Sequence, residues 1–470
     1  MSRVNLNLDV CGMGYAILCP SSRAASPFLA FLLVFFALAM AAFGAQASPF
    51  AASVVSYAPG PGQWVGNPLY NDPARALGRP YGLTDSVADN TSVVTLGDGG
   101  SLTLAFDHEV TDDPSNPGGY DFIVFSNAIF VGGDPSLRWQ EPAFVEISQD
   151  GSTWYLILPN ILPSALVGGV DTGQSETILR NYAEYTPTLN LPQNRFPALP
   201  QSRTAEEFYT VPDRQSFSGD GASLAIDPTS GGGDAFDIAD AVRETSPGVP
   251  ELDAQGNPIP AGISWFRYVR ITDALVGDKA GELGEISAEI DAVADVAPAV
   301  SVGAARRLQA GGYAVIWGAR VTAAFPGEFW IEQPDRSAGL RIVSGEPVSE
   351  GDMVVVTGHV TQAGGDRAIA DALVTVLERG SAPAPVGISN RSAGTEMALG
   401  LLVRVWGKRK AAGDGWFTVD DGSGLPVTVR CDPFTAAPPE GQFAVATGVL
   451  SRDGEGSPVV RIRRPEDIMP

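Results

Sequence analysis

Gly351-Asp352-Met353-Val354-Val355-Val356-Thr357-Gly358 is answered ninety positions later by Gly441-Gln442-Phe443-Ala444-Val445-Ala446-Thr447-Gly448. Each is a short apolar run opened by glycine and closed by Thr-Gly, which reads as a strand between tight turns. The correspondence extends outward. Val315-Ile316-Trp317-Gly318 matches Val405-Trp406-Gly407, Phe329-Trp330-Ile331-Glu332 matches Trp416-Phe417-Thr418-Val419-Asp420, and Gly339-Leu340-Arg341-Ile342 matches Leu425-Pro426-Val427-Thr428-Val429. Two copies of one all-strand unit therefore stand in tandem.

Each unit resembles the small OB-fold barrels of secreted bacterial proteins, over residues 302–380 and 398–465. That resemblance implies a fold, not a ligand. OB barrels bind single-stranded nucleic acid through aromatic platforms in a basic groove, and Trp317, Phe329, Trp330, Trp406, Trp416 and Phe417 stand near Arg320, Arg341, Arg404, Lys408, Arg409 and Lys410. Aromatics at alternating strand positions are nonetheless expected core residues, so two independent barrels with mainly buried aromatics are predicted.

Upstream of Ala297-Pro298 the pattern is again β. Alternation in Ser101-Leu102-Thr103-Leu104 and Phe144-Val145-Glu146-Ile147 marks half-buried strands. Further strand-like runs are Tyr120–Phe125, Trp154–Leu158, Trp265–Ile271 and Ile286–Val293, and a long irregular stretch from about Pro159 to Gly219 separates two of them. The chain of 470 residues holds 54 Gly and 37 Pro, a composition that favours many short strands joined by turns. The expected fold class is all-β: a jelly-roll β-sandwich over 50–297, then OB-like barrels over 300–382 and 397–467.

Charge is distributed unevenly. Residues 1–298 carry 13 basic against 35 acidic side chains, a net −22, while the remainder carries 17 against 19. An acidic first part disfavours phosphate backbones and suits cations or neutral ligands such as sugars.

The N-terminus reads as an export signal. Phe28 to Phe43 is nearly all apolar, follows Arg23 and precedes Ala45-Gln46-Ala47, which predicts cleavage after Ala47 of a signal carrying an N-terminal extension (1–47). An extracellular or periplasmic, surface-associated location follows, with membrane contact only through that segment if it is left uncleaved. Loss of Cys11 and Cys19 would leave Cys431 as the sole cysteine, so no internal disulfide is expected.

The densest constellation is Ser230-Gly231-Gly232-Gly233-Asp234-Ala235-Phe236-Asp237-Ile238-Ala239-Asp240. Glycines allow tight turns, and spaced carboxylates offer the hard oxygen ligands that Ca²⁺ takes. Asp121, Glu141, Glu146, Asp273, Glu282 and Glu285 could complete a shell; turn capping by Asp234 and Asp237 is the competing reading.

Gly119-Tyr120-Asp121-Phe122-Ile123-Val124-Phe125-Ser126-Asn127-Ala128, Glu141-Pro142-Ala143-Phe144-Val145-Glu146-Ile147-Ser148-Gln149-Asp150-Gly151, the glycine-aspartate block and Phe266-Arg267-Tyr268-Val269-Arg270-Ile271-Thr272-Asp273 together resemble the jelly-roll module of bacterial cell-surface proteins. Asp150-Gly151 before Trp154-Tyr155 is similar to discoidin-like and carbohydrate-binding sandwiches. The resemblance implies a non-catalytic module with a structural calcium, carried here by Asp121, Asp234 and Asp237.

The expectation is thus an exported, calcium-binding recognition or scaffolding protein whose partner is a glycan or a surface protein, and not an enzyme. The alternatives are a secreted carbohydrate-active hydrolase using paired carboxylates (Glu141 with Glu146, or Glu282 with Glu285) and an extracellular single-stranded nucleic-acid binder. His108 and His359 lie far apart in sequence, which argues against a histidine-dependent triad or a multi-histidine zinc site.

Overall fold

The computed structural model describes residues 47–62, 64–81, 92–135, 137–161, 169–171, 179–192, 202–214, 226–274, 287–431 and 437–469. The segment read as an export signal before Ala47 lies outside them, as do Glu282 and Glu285. Among the described residues the fold is all-β, with three α-helices of four residues each and a few short 3-10 turns, and no helix is long and apolar enough to cross a membrane.

Two sheets enclose the first core. The larger orders its strands Ser53–Ala58, Ser101–Thr111, Trp265–Asp273, Ala143–Ser148, Tyr155–Ile157, Ala241–Ser246 and Val249–Pro250, with Tyr182–Ala183 also paired to Ala143–Ser148. The smaller runs Asp234–Phe236, Phe122–Ser126, Glu289–Asp295 and Val94–Thr95. The chain crosses repeatedly from one sheet to the other, as a jelly roll does. Alternate residues of facing strands (Leu102, Leu104, Val145, Ile147, Val269 and Ile271 against Val124, Phe122, Phe236, Ile290 and Val293) meet in one buried cluster. The alternation picks out the core-facing residues, but the strands are not half-buried as expected: Thr103, Phe144 and Glu146 on the other face are buried too, and Ala143–Ser148 is buried at every position.

Both repeats close into five-stranded barrels of the same order. In the first, Tyr313–Phe325, Glu328–Glu332, Gly339–Val343, Asp366–Glu378 and Met353–Ala363 follow one another around the ring. In the second, Leu402–Gly413, Trp416–Asp420, Val427–Arg430, Pro458–Arg461 and Phe443–Arg452 do the same, and Leu402–Lys408 pairs with Phe443–Val449 to close it. In both barrels the third strand pairs in parallel with the strand that is last of the five in the chain, Ile342 with Ile369 and Val429 with Val460. The repeated Thr-Gly has a packing cause. A Cβ on Gly358 would lie 2.5 Å from the Ile369 side chain, and one on Gly448 would lie 2.2 Å from the Arg461 carbonyl oxygen, so a neighbouring strand occupies the space a side chain would need.

The barrels are not independent of one another. The Glu332 carboxylate accepts the Leu402 amide and an Arg336 guanidinium N–H, and Arg336 also donates to the Leu402 carbonyl. Arg463 reaches the Thr322 carbonyl and Glu350, and Asp366 accepts the Arg452 amide at 3.0 Å. Pleat alternation divides the aromatics. Phe329 and Phe417 face their barrel interiors, whereas Trp330 faces outward and is buried with Ala323 and Val449 in the seam between barrels. Trp416 is only half-buried, contrary to the expectation that it belongs to a core.

Candidate functional site

Asp121, Asp234 and Asp237 do not share one site. Register explains the separation: Phe236 pairs with Phe122 and Asp234 with Val124, so Asp237 lies across from Asp121. Asp234 is an odd number of residues away, on the opposite face of the pleat. Asp121 and Asp237 meet Asp112, with one carboxylate oxygen of each within 4.8 Å of the others. The protein itself already engages these oxygens. Oδ1 of Asp121 accepts the Asp113 amide and the Asn116 side-chain amide, Oδ2 accepts the Ile238 amide, and Oδ1 of Asp237 accepts the Ala239 amide. Burial raises the Asp121 carboxyl to about 6, against the lowering effect of these donors.

Asp234 has a structural task. Its two oxygens accept the amides of Tyr185 and Thr186 at 2.9 Å each, and desolvation pushes its carboxyl up to about 7. The glycines before it serve packing. Gly233 has φ +74°, and a Cβ there would lie 2.7 Å from the Phe125 ring and 2.8 Å from Ile123. Gly233→Ala is therefore expected to lose about 2 kcal/mol or more through the left-handed backbone and the clash together. Urea unfolding of the variant checks this, and an unchanged midpoint would show that the loop relaxes freely.

By clamping residues 185–186, Asp234 fixes their neighbour Glu184, a non-glycine residue at φ +66°. Glu184 is wholly buried, and its Oε2 accepts the Glu289 amide at 2.6 Å. Carboxylate oxygens of Glu141, Glu184 and Glu289 lie within 4.8 Å of one another. Glu141 comes from the segment just before Ala143–Ser148 and Glu289 opens its strand. The Trp139 indole N–H donates to Glu141 Oε1 at 2.7 Å, and Glu141 and Glu289 share a hydrogen bond. Desolvation is the first cause that raises all three carboxyls: Glu141 to about 7, and Glu184 and Glu289 well above their ordinary value, with mutual repulsion adding to it. Asp273 adds further negative potential.

Above this cluster lies a groove of about 280 Å³ lined by Trp64, Tyr70, Val93, Asn127, Ile129, Trp139, Glu141 and Glu289. Trp64 is 44% exposed and meets Tyr70 edge-on, with centroids 5.3 Å apart. Aromatic faces beside a few polar groups are the usual lining of a small-ligand site.

Of the residues the sequence pointed to, Glu141 and Asp273 stand at this site. Glu184 and Glu289 were both missed: Glu184 sits in the long irregular stretch and carries no motif, and Glu289 lies in a run read only as a strand. Glu146 is elsewhere occupied: it accepts from Arg270 Nε at 2.6 Å, from the Thr272 hydroxyl and from the Gly248 amide. It is not paired with Glu141. His108 bonds Asp107 and Asp295, while His359 lies by Arg203 and Glu207. Cys431 is buried in the second barrel.

No protein-family model matches the chain, and no curated protein matches it. Among solved structures it is similar to the crystal structure of a multidomain protein with nucleic acid binding domains from Streptococcus pneumoniae TIGR4. Identity is 12% and the TM-score 0.12, over 33% of this chain and 46% of that one. The chain spans less than half of that protein, and a likeness at that score supports no statement about function.

Proposed function

We propose that this is an exported, non-catalytic recognition protein whose β-sandwich binds neutral glycans in the groove formed by Trp64, Tyr70 and Trp139. The observation that carries the reading is the exposed Trp64 ring beside Tyr70 over a groove that ends in Glu141 and Glu289. Aromatic faces complement the apolar C–H faces of sugar rings, and carboxylates accept their hydroxyl protons. The −22 charge of residues 1–298 suits an uncharged ligand better than an anionic one.

A hydrolase would need two carboxyl groups flanking the bond to be cut, about 5 Å or more apart. Here Glu141 and Glu289 are hydrogen-bonded to each other and Glu184 is fully enclosed, which favours binding over catalysis. Nucleic-acid binding through the barrels is disfavoured by the burial of Phe329, Trp330 and Phe417.

A glycan array probed with the purified chain, in calcium and in chelator, tests the proposal. Neutral oligosaccharides should be retained, and Trp64→Ala should weaken the best of them about tenfold, the loss of roughly 1.4 kcal/mol expected for one stacking aromatic. Folding should be little affected, because the ring is exposed. An array without hits, equal binding by the variant, or release of shortened sugars would each overturn the reading.

A further inference from the structure

We propose that Glu141, Glu184 and Glu289 hold one divalent cation, Ca²⁺ by preference, beneath the groove of the β-sandwich. The inference is independent of what the groove binds.

Three observations converge on it. The three carboxylates each present an oxygen within 4.8 Å of the other two, which is the widest separation available to two oxygens each about 2.4 Å from one calcium ion. Glu184 is fully buried, with one oxygen on the Glu289 amide and the other, Oε1, buried without any hydrogen-bond partner. No lysine, arginine or histidine ion-pairs with any of the three among the described residues, although the chain pairs other buried carboxylates such as Glu146 and Glu332 with arginine. A buried carboxylate with no cationic partner and one oxygen without a donor is strongly disfavoured. A cation supplies what the protein leaves out.

The donor set selects the ion. All the ligands are carboxylate oxygens, with neither imidazole nor thiolate in the cluster, so a hard cation is favoured over zinc or copper. Of the hard cations, Ca²⁺ tolerates the irregular geometry of donors drawn from three separate segments, whereas Mg²⁺ demands a near-ideal octahedron at shorter distance. The cluster of Asp112, Asp121 and Asp237 lacks a buried oxygen without a donor among the described residues: both oxygens of Asp121 and Oδ1 of Asp237 accept protein amides, whereas Glu184 Oε1 is buried and accepts nothing, although Glu141 Oε1 and Glu184 Oε2 each accept one N–H.

The test uses the purified full chain stripped with a chelator and titrated calorimetrically with CaCl₂, alongside thermal melting in CaCl₂ and in chelator. One ion per chain and a melting temperature that rises with calcium are expected. Glu184→Gln keeps the size of the side chain and an acceptor for the Glu289 amide. It should abolish the binding heat and the calcium-dependent rise, yet melt in chelator at or above the wild-type temperature, because a buried carboxylate has gone. A role as a mere hydrogen-bond acceptor would not produce that crossing. Should Glu184→Gln fail to fold, Glu141→Gln carries the same expectation. Asp237→Asn should bind calcium as wild type does. Absence of heat and of thermal shift with millimolar Ca²⁺, Mg²⁺ and Mn²⁺, undiminished binding by both glutamine variants, or loss of binding in Asp237→Asn would each overturn the assignment.

Discussion

Replacing Trp330 by alanine is expected to lower stability by about 3 to 5 kcal/mol, the range for removing a large buried aromatic. It should also uncouple the two barrels. The side chain is 1% exposed, meets Phe325 edge-on at 5.5 Å, and packs on Val449 of the second barrel. Two guanidinium groups cover its ring, Arg341 from the first barrel at 5.4 Å and Arg461 from the second at 4.9 Å. Both are held by Glu328, with Arg461 at 2.8 Å. Alanine would leave a cavity and remove the aromatic face between two like charges that Glu328 alone would then have to hold together. Calorimetric melting should show the barrel transition broadened or split, because the seam rather than either barrel core has been damaged. Trp416→Ala, at a half-buried outward position, should cost about 1 kcal/mol or less. Near-native melting of the Trp330 variant would show that the polar contacts alone join the barrels.

Arg270→Met is expected to cost about 3 to 5 kcal/mol near neutral pH, because it leaves the buried Glu146 carboxylate without its counterion and takes a donor from Glu244. Arg270 stands across the sheet from Glu146. Its Nε bonds Glu146 at 2.6 Å and its Nη2 bonds Glu244 at 2.7 Å, with the Trp154 ring 4.3 Å from the guanidinium carbon. Even with the arginine present, burial first and then Glu146 raise the Glu244 carboxyl to about 8. A carboxyl whose folded value exceeds its unfolded one binds protons more tightly in the folded state. Its contribution is full below the ordinary range near 4.5 and is lost as pH rises through about 8. Without Arg270 that dependence should steepen. The deficit of the variant should be largest at pH 8 to 9 and shrink toward pH 5, as read from urea midpoints across that range. A deficit independent of pH would mean that lost packing on Trp154, not exposed charge, is the cause.

The all-β class, the sandwich and the tandem barrels were legible because they depend on local pattern. Alternation in Ser101–Leu104 and Phe144–Ile147 marks one buried face whatever lies opposite, and Thr-Gly recurs where adjoining strands leave no room for a side chain. Glu141 and Asp273 could be singled out, since carboxylates in apolar surroundings are conspicuous.

The site depended on pairing at long range. Asp234 and Asp237 look equivalent in the sequence, but an odd offset across the pleat gives one to the Tyr185 and Thr186 amides and the other to the neighbourhood of Asp121. Glu184 carries no signal at all, since its position follows from that clamp, from Tyr182–Ala183 pairing with Ala143–Phe144, and from a left-handed backbone angle. Trp330 and Trp416 both face outward from equivalent strands, and only the docking of one barrel on the other buries the first and leaves the second half in solvent. Sequence by itself determined which residues alternate, turn and repeat, because sterics and burial act within a few residues. Which carboxylates converge and which tryptophan is enclosed was decided by tertiary structure, because strands 38 to 114 residues apart must pair before those side chains can meet.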